Sequence, residues 1–411
     1  MTRIYLFSPI PYSFLHQRPQ KLADQFVARG IPVTFIEPCG FTEYLQGKKN
    51  GLAGLIFSSI VFLALGAAAL ALPGLSGKVR RRRPAPGAPA GLRIVQMPMV
   101  YPSNRVDWPL LEKFNASVFR QALRFRVLRT VSEGEFAVAL VENPFWGAVL
   151  REGDFDSVAY DCLDELTLFA GRASADRFAG YERRLLAMSG AVFVTAEALE
   201  ERLHTLEGPA PGPVRVPNGV DVEWFEAHAA DSPPELSGIR APVAGYVGVL
   251  RSWFDYELLG GLARSMPDVV FAIVGPLDFE FRNAHLRSIP NLLWIGRRDY
   301  ATMPGYIGRF DVCLIPFVEG KVSATTNPVK VFEYFALGKP VVATPMRELQ
   351  PFAREGLLRL ARGEREFADG IRAALAERGD TRAAGRRAVA RAHSWRSLAD
   401  GMLARMEGGD A

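Results

Sequence analysis

The chain has 411 residues, of which 49% are hydrophobic, so it is long enough for two domains with sizeable cores and is not a disordered protein. Its three cysteines, Cys39, Cys162 and Cys313, are odd in number and widely spaced, which argues against a disulfide or zinc framework and favours a reducing compartment. The net charge of +5 is local, because seven basic residues between positions 48 and 83 leave −2 for the rest of the chain. We therefore expect no nucleic-acid partner.

Short apolar runs alternate with helical patterns along most of the chain, which predicts parallel sheets with helices on both faces. In the first half the predicted strands are residues 4–7, 33–37, 92–96, 136–141, 158–161 and 192–195. In the second half they are residues 243–247, 269–274, 292–295, 312–315 and 341–343. The pattern indicates an α/β protein with two doubly wound units. Ligands bind beyond the carboxyl ends of the strands in such sheets, so residues that follow a strand are candidates for a site.

The loop after the first predicted strand, residues 8–20, contains His16 and Arg18. Imidazole titrates in the range that a general base needs, and a guanidinium group binds anions. We therefore nominate His16 as a catalytic residue and Arg18 as a contact to the acceptor side of the reaction. An ordinary loop histidine is the alternative.

An apolar segment interrupts the first half of the chain. Residues 50–77 carry no charged side chain, are long enough to span a bilayer, and are flanked by basic residues 48–49 and 78–83. The segment lies between two predicted strands of one sheet, so a single crossing would place these strands on opposite sides of the membrane. Gly66 and Pro73 allow the chain to turn. We predict a membrane-associating hairpin with both ends cytoplasmic, and burial against protein is the alternative.

Acidic residues follow the predicted strand 158–161. Asp161 ends this run and Asp164 lies three residues later, where both can meet the hydroxyl groups of an acceptor. We nominate Asp161 as a catalytic residue and Asp164 as an acceptor-side contact, and unpaired surface acids are the alternative. The breaker-rich stretch 207–213, Glu-Gly-Pro-Ala-Pro-Gly-Pro, then predicts a domain boundary.

The second half opens with a strand, a glycine and a charged loop, which is a layout suited to a diphosphate. Gly248 follows the predicted strand 243–247 and lets the backbone approach a ligand. Arg251 can neutralise the ligand through paired hydrogen bonds. A tight strand-to-helix turn without a ligand is the alternative.

Residues 323–345 carry the most informative pattern in the chain. Asn327 is predicted to cap a helix, Pro328 suits its first position, and Gly338 is placed to end it. One face is expected to pack, while Lys330 and Glu333 share another that is free to bind. The helix N-terminus with Lys330 favours an anion, and Glu333 can accept hydrogen bonds from a sugar diol.

This segment resembles the donor-binding motif of GT-B glycosyltransferases of the family 4 type, in the bacterial branch that carries Asn-Pro-x-Lys-x-x-Glu-Tyr. Residues 216–225, Val-Pro-Asn-Gly-Val-Asp-Val-Glu-Trp-Phe, resemble the interdomain signature of that family. The Gln-Arg-Pro at residues 17–19 and the stretch at 160–165 resemble its first domain. The family usually has another Glu eight residues before the one at 333, and here that position is Thr325.

The resemblance implies a GT-B fold, in which two Rossmann-like doubly wound domains face a cleft. The acceptor-side domain would be residues 1–212, with the apolar insertion, and the nucleotide-sugar-binding domain residues 213–388. Residues 389–411 would form a helix that crosses back to the first domain. Arg251 and Lys330 would hold the diphosphate next to Gly248, and Glu333 the ribose. Contacts to the sugar or to a phosphate oxygen would come from Thr325, Thr326 and Asn327.

By this resemblance the protein is an enzyme that transfers a hexose from a nucleotide diphosphate sugar to a lipid-linked or polysaccharide acceptor. The reaction would retain the anomeric configuration and need neither metal nor cofactor, as the helix N-terminus and basic residues stabilise the leaving diphosphate. The enzyme would act in polysaccharide biosynthesis, attached to the cytoplasmic face of the inner membrane and its anionic lipids. The alternatives are a non-catalytic GT-B subunit that binds nucleotide sugar or glycan and anchors a partner, and a GT-B sugar-nucleotide epimerase.

Overall fold

The structure is a computed structural model. It describes residues 1–13, 16–38, 89–98, 109–169, 172–206, 211–276, 284–377 and 381–408. The predicted apolar insertion 50–77 and the basic stretch 78–83 lie outside the described residues. Within the described ranges, no helix is both long enough and apolar enough to cross a bilayer.

The chain divides into two compact units. The first unit comprises Met1–Thr195, Leu199–Val216 and Ala399–Ala411, and the second comprises Ala196–Ala198 and Pro217–Leu398. Each unit contains one parallel sheet, and no described strand pair is antiparallel apart from the isolated bridge between Phe254 and Phe317.

The first unit is built on a seven-stranded sheet in the order β3-β2-β1-β4-β5-β6-β7. Its strands are β1 Thr2–Phe7, β2 Val33–Glu37, β3 Leu92–Gln96, β4 Phe136–Val141, β5 Ser157–Cys162, β6 Ala191–Val194 and β7 Val214–Arg215. The described helices that connect them are α1 Arg18–Ala28, α2 Pro109–Arg126, α3 Arg172–Met188 and α4 Glu197–His204. The central strands β1 and β4 are buried on both faces, which explains why they read as continuous apolar runs.

The second unit is built on a six-stranded sheet in the order β10-β9-β8-β11-β12-β13. Its strands are β8 Val243–Val247, β9 Val270–Val274, β10 Leu292–Gly296, β11 Val312–Ile315, β12 Val341–Ala343 and β13 Arg359–Leu360. The described helices begin with α5 Val222–His228, α6 Tyr256–Ser265, α7 Met303–Arg309, α8 Lys321–Thr325 and α9 Val329–Ala336. They continue with α10 Gln350–Arg354, α11 Gly363–Leu375, α12 Thr381–Ala392 and α13 Trp395–Met406.

Helix α13 begins in the second unit and ends in the first, since the boundary falls after Leu398. Its last turns are tied to the first unit by polar contacts. The Arg29 guanidinium donates to the Asp400 carboxylate at 2.5 Å, and the Thr2 hydroxyl donates to the Glu407 carboxylate at 2.6 Å.

The predicted strands are confirmed in both sheets, with bounds that differ by at most one residue except at the start of β1, which lies two residues earlier than predicted. The two-residue strands β7 and β13 were not predicted, because they are too short to show a pattern. The start of α9 differs from the prediction: Pro328 is the capping residue, and the Asn327 side chain does not cap the helix. The helix is also buried over most of its length instead of on one face. Its predicted end is confirmed, as Gly338 has a φ of 67°.

Candidate functional site

The carboxyl end of strand β8 is the switch point of the second sheet. Strand β8 lies between β9 and β11, so the connections that leave β8 and β11 run toward opposite halves of the sheet. Such a point forms a crevice at the strand ends in doubly wound folds. The loop that starts at Gly248 follows β8, and helices α8 and α9 follow β11, so the residues predicted from both segments share this edge.

Gly248 and Lys330 are brought into contact, although 82 positions separate them in the sequence. Gly248 has a φ of 150°, and a Cβ atom added to it would lie 2.0 Å from Lys330 Cε and 2.6 Å from the Tyr246 hydroxyl. Gly275, with a φ of 151°, approaches just as closely, since its Cβ would lie 1.8 Å from the Gly248 carbonyl oxygen. Only glycine fits at 248 and 275 without strain or displacement. The lysine side chain therefore runs directly over the loop backbone.

Lys330 is half-buried in the second position of α9. Its ammonium nitrogen lies 5.9 Å from the centroid of the Tyr246 ring, a cation–π distance. Burial lowers the pKa of Lys330, and the nearby Glu333 carboxylate partly opposes this shift. A partly desolvated ammonium group beside the half-buried glycine of a loop is suited to binding an anion.

Glu333 lies one turn further along α9 and is 6% exposed. It accepts a hydrogen bond from the Tyr300 hydroxyl at 3.0 Å. Burial, and next the Glu333 carboxylate, raise the pKa of Tyr300 well above its usual value, so the phenol stays protonated and keeps donating. The Tyr300 ring is itself stacked on Trp224, with ring centroids 5.3 Å apart and planes at 8°. These contacts hold the carboxylate in one orientation for a hydroxyl-bearing ligand.

Tyr300 and Trp224 are residues that the sequence reasoning missed. Trp224 belongs to the segment 216–225, which resembles an interdomain signature. In the structure its ring stacks on that of Tyr300. Tyr300 follows strand β10 after the short loop 297–299, so its position after a strand was the available signal.

Asn327 binds the segment that opens the second unit instead of capping its own helix. Its Oδ1 atom accepts from the backbone N–H of Asn218 at 3.1 Å, and its carbonyl oxygen accepts from Asn218 Nδ2 at 2.8 Å. Its own Nδ2 donates to Glu348 Oε2 at 3.4 Å. The amide is thus used within the protein. Thr325 ends α8 and Thr326 follows it, and both are half-buried beside Asn327.

Arg251 lies in the loop after β8 and is exposed. Its guanidinium carbon is 5.7 Å from the centroid of the Trp253 ring. The predicted convergence of Arg251 and Lys330 on one diphosphate stays a prediction, whereas Gly248 and Lys330 are in direct contact.

In the first unit, Arg18 and Asp161 form a buried ion pair. Arg18 Nε donates to Asp161 Oδ2 at 2.8 Å and Nη2 donates to Oδ1 at 2.9 Å, while Nη1 donates to the Val216 carbonyl oxygen at 3.0 Å. Arg18 is 2% exposed and Asp161 is 0% exposed. The predicted roles need the Arg18 guanidinium to contact an anion and the Asp161 carboxylate to contact an acceptor. In the structure these two groups bind each other. Those roles stay predictions.

His16 and Asp164 lie on the loops after β1 and β5, at the same edge of the first sheet. The half-buried His16 ring packs edge-on against Tyr12 at 6.2 Å. Burial lowers the pKa of His16, and Lys21 adds to this shift, so the imidazole is neutral at pH 7 and can accept a proton. Asp164 is exposed. Among the described residues, no group of three or more His, Cys, Asp and Glu side chains is arranged to hold a metal ion.

Part of the second unit matches a known protein family. Residues 242–377 match the family described as "Glycosyl transferases group 1". The chain is 29% identical over 206 residues to TuaH of Bacillus subtilis (strain 168), whose description as a teichuronic acid biosynthesis glycosyltransferase is itself provisional. This alignment covers 48% of the chain and 49% of TuaH, so the chain matches about half the length of that relative.

Solved structures are similar over nearly the whole chain. Sucrose-phosphate synthase from Thermosynechococcus elongatus has a TM-score of 0.68 at 16% identity, covering 98% of each chain. Alr3699/HepE of Anabaena, in complex with UDP-glucose, has a TM-score of 0.64 at 12% identity, covering 99% of this chain and 100% of that one. At these identities the likeness shows the fold. Together with the two parallel Rossmann-like sheets, it supports the predicted GT-B fold, while assignment to family 4 stays a prediction.

The Arg18–Asp161 pair should be a structural element of the first unit. Arg18→Ala leaves a buried carboxylate without its partner, so the free energy of unfolding is expected to fall by about 3–5 kcal/mol in urea titrations. The double variant Arg18→Met/Asp161→Leu should recover most of that loss, because it removes both charges.

Arg3→Ala is the matched control, because Arg3 on β1 forms a paired but partly exposed contact with Glu135, the residue before β4. This variant should cost about 0.2–1 kcal/mol. Equal losses for Arg18→Ala and Arg3→Ala, or no recovery in the double variant, would contradict the structural role.

Proposed function

We propose that the protein is a glycosyltransferase that moves a hexose from a nucleotide diphosphate sugar to a lipid-linked or polysaccharide acceptor. The observation that carries the proposal is the contact of Lys330 with Gly248 at the switch point of the second sheet, with Glu333 one turn away. A cation over a glycine loop suits a diphosphate, and a fixed carboxylate beside it suits a ribose diol. The match of residues 242–377 to a glycosyltransferase family supports the proposal.

In this proposal Lys330 and Arg251 bind the diphosphate and Glu333 accepts hydrogen bonds from the ribose. Tyr300 orients Glu333 through the hydrogen bond between their side chains. We assign Asn327 to the positioning of α9, because its amide already bonds to Asn218 and Glu348. Thr325 and Thr326 stay candidates for the sugar or a phosphate oxygen. The UDP-glucose complex of the similar Alr3699/HepE structure supports a nucleotide sugar as ligand.

We further propose that the reaction retains the anomeric configuration and proceeds without a metal ion. The charges that stabilise a leaving diphosphate would come from Lys330, Arg251 and the N-terminus of α9. A non-catalytic subunit that binds nucleotide sugar and anchors a partner is the second candidate, favoured by Thr325 at the place where the family usually has a Glu.

Incubation with a panel of nucleotide sugars and a bacterial membrane extract tests the proposal. One donor is expected to release its nucleoside diphosphate and label the extract at the same rate with and without excess EDTA. The extract alone is the control. Binding of a donor without release would support the non-catalytic subunit, and activity that EDTA abolishes would exclude the metal-independent reaction.

Variants of α9 should separate the two ends of the nucleotide. Glu333→Gln is expected to weaken UDP binding by about 1.5–3 kcal/mol, since it replaces a charged acceptor. Melting temperature should change little, because the amide oxygen can still accept from Tyr300. Lys330→Ala and Arg251→Ala should weaken UDP binding more than uridine binding.

Isothermal titration calorimetry with UDP and uridine measures these effects. Arg365→Ala, which removes an exposed charge from α11, is the matched control. Unchanged UDP affinity in Glu333→Gln would remove Glu333 from the site. Equal losses for UDP and uridine in the lysine and arginine variants would remove these two side chains from the phosphates.

We also propose that residues 50–77 attach the enzyme to the cytoplasmic leaflet of the inner membrane. The run is uncharged, and basic residues flank both of its ends. Anionic lipid attracts each of these basic residues by about 1 kcal/mol. Replacement of residues 50–83 by a short Gly-Ser linker should release the protein from membranes in flotation assays. UDP binding should persist, because the proposed donor residues all belong to the second unit. A variant that still floats after a high-salt wash would contradict this attachment.

A further inference from the structure

The first sheet has a switch point of its own, between strands β1 and β4. These strands are neighbours at the centre of the sheet, and the chain winds outward from them in both directions. Glu142 follows the last residue of β4, and its backbone N–H donates to the Phe7 carbonyl oxygen at the end of β1 at 3.2 Å. The position is the one where doubly wound sheets bind ligands. Glu142 therefore lies at the switch point of the first unit, after the strand β4 that corresponds to β11 of the second unit.

The Glu142 carboxyl group is buried without a hydrogen bond. The residue is 3% exposed, and within the described residues neither Oε1 nor Oε2 has a hydrogen-bond partner. Buried side-chain polar groups in folded proteins are nearly always paired, and an unpaired one lowers stability. A group that lowers stability at a switch point indicates a functional constraint.

Glu142 is also held next to a charge of its own sign. Strand register aligns Val141 with Tyr160, so Glu142 and Asp161 follow at the same level of neighbouring strands. Burial, and next the Asp161 carboxylate, raise the pKa of Glu142 well above its usual value, while Arg18 opposes the shift. This shift favours the protonated form, which carries one O–H donor together with carbonyl acceptor capacity.

The surroundings of Glu142 define the charge of a suitable ligand. Arg18 and Asp161 neutralise each other in the buried pair, so the three groups together carry no net charge when Glu142 is protonated. An anion or a cation would have to be desolvated without compensation there. A neutral ligand that both donates and accepts a hydrogen bond satisfies the carboxyl group, and a sugar hydroxyl has both capacities.

We propose that Glu142 is the acceptor-binding residue of the first unit, and that its buried, unpartnered carboxyl group exchanges hydrogen bonds with a hydroxyl group of the acceptor sugar. The inference rests on the proposed glycosyl transfer and names the acceptor contact within it. Arg18 and Asp161 are positioning residues in this assignment, because their pair fixes the neighbouring edge of the sheet and keeps it neutral.

Two substitutions test the hydrogen bond. Glu142→Gln keeps a neutral donor and acceptor of the same shape, whereas Glu142→Leu removes both. Initial rates of label transfer are measured against increasing amounts of the membrane-extract lipid fraction, with the donor that the panel identifies. Glu142→Leu is expected to lower kcat/KM for the acceptor by about 100-fold or more, and Glu142→Gln by less than about tenfold. UDP affinity should be unchanged in both.

Thr34→Val is the matched control, because the Thr34 hydroxyl on β2 is also buried without a partner among the described residues but lies within a strand. It should leave transfer unchanged. Transfer by Glu142→Leu with the kcat/KM of the wild-type protein would overturn the assignment. Equal losses in the Gln and Leu variants with an unchanged acceptor KM would overturn it too, because the carboxyl group would then act through its charge.

Thermal unfolding supplies a readout that needs no acceptor. Glu142→Leu should not lower the melting temperature, since it replaces an unpaired buried polar group by an apolar one of similar size. A fall as large as that of Arg18→Ala would mean that the protein itself satisfies the carboxyl group, and would overturn the assignment. Wild-type protein that binds no UDP and transfers no label would refute the proposed function, and the acceptor assignment with it. UDP binding with equal transfer by the wild-type protein and Glu142→Leu would refute the acceptor assignment alone.

Discussion

The close approach of the Gly248 loop to the Lys330 side chain and to the Gly275 backbone is the constraint on which the second unit depends. Gly248 and Gly275 adopt backbone conformations that other residues rarely adopt, and a side chain on either would collide with its neighbour. The Gly248 N–H donates to the Val274 carbonyl oxygen at 2.8 Å, so the ends of β8 and β9 are joined at this point. Because Gly248 has no side chain, the Lys330 methylene groups can cross the loop. The ammonium group then lies at the switch point, with Glu333 one helical turn away.

The two units differ in how they treat buried charge at the carboxyl edges of their sheets. In the second unit Glu333 has an internal hydrogen-bond donor, Tyr300, which is fixed in turn by stacking on Trp224. In the first unit Arg18 and Asp161 satisfy each other, whereas both Glu142 oxygens lack a partner among the described residues. A carboxylate that is held in one orientation, such as that of Glu333, favours a ligand that binds in one fixed orientation. An unsatisfied carboxyl group favours a ligand that supplies the missing hydrogen bonds.

The sheets could be predicted from the sequence because their central strands are buried on both faces and therefore form continuous apolar runs. The helix at 329–336 was predicted, but its cap was not, because Asn327 bonds to Asn218, which lies 109 residues earlier. The Arg18–Asp161 pair joins residues 143 positions apart, and sequence alone shows no such pairing. Glu142 carries the same signal as Asp161, an acid at the end of a buried strand. Glu142 was not nominated, because an apolar pattern does not show the strand order. That order places β4 beside β1 and therefore Glu142 at the switch point.

In these proposals, donor and acceptor are recognised by different residues, which are held in place by different interactions. The proposed donor contacts all belong to the second unit and are fixed by backbone close approach and by hydrogen bonds within that unit. They do not require Glu142, Arg18 or Asp161. The proposed acceptor contact in the first unit depends on a buried carboxyl group without an internal hydrogen bond, next to the Arg18–Asp161 pair. Changes to the acceptor contact can therefore alter which hydroxyl group is used while nucleotide binding stays the same, because no residue takes part in both.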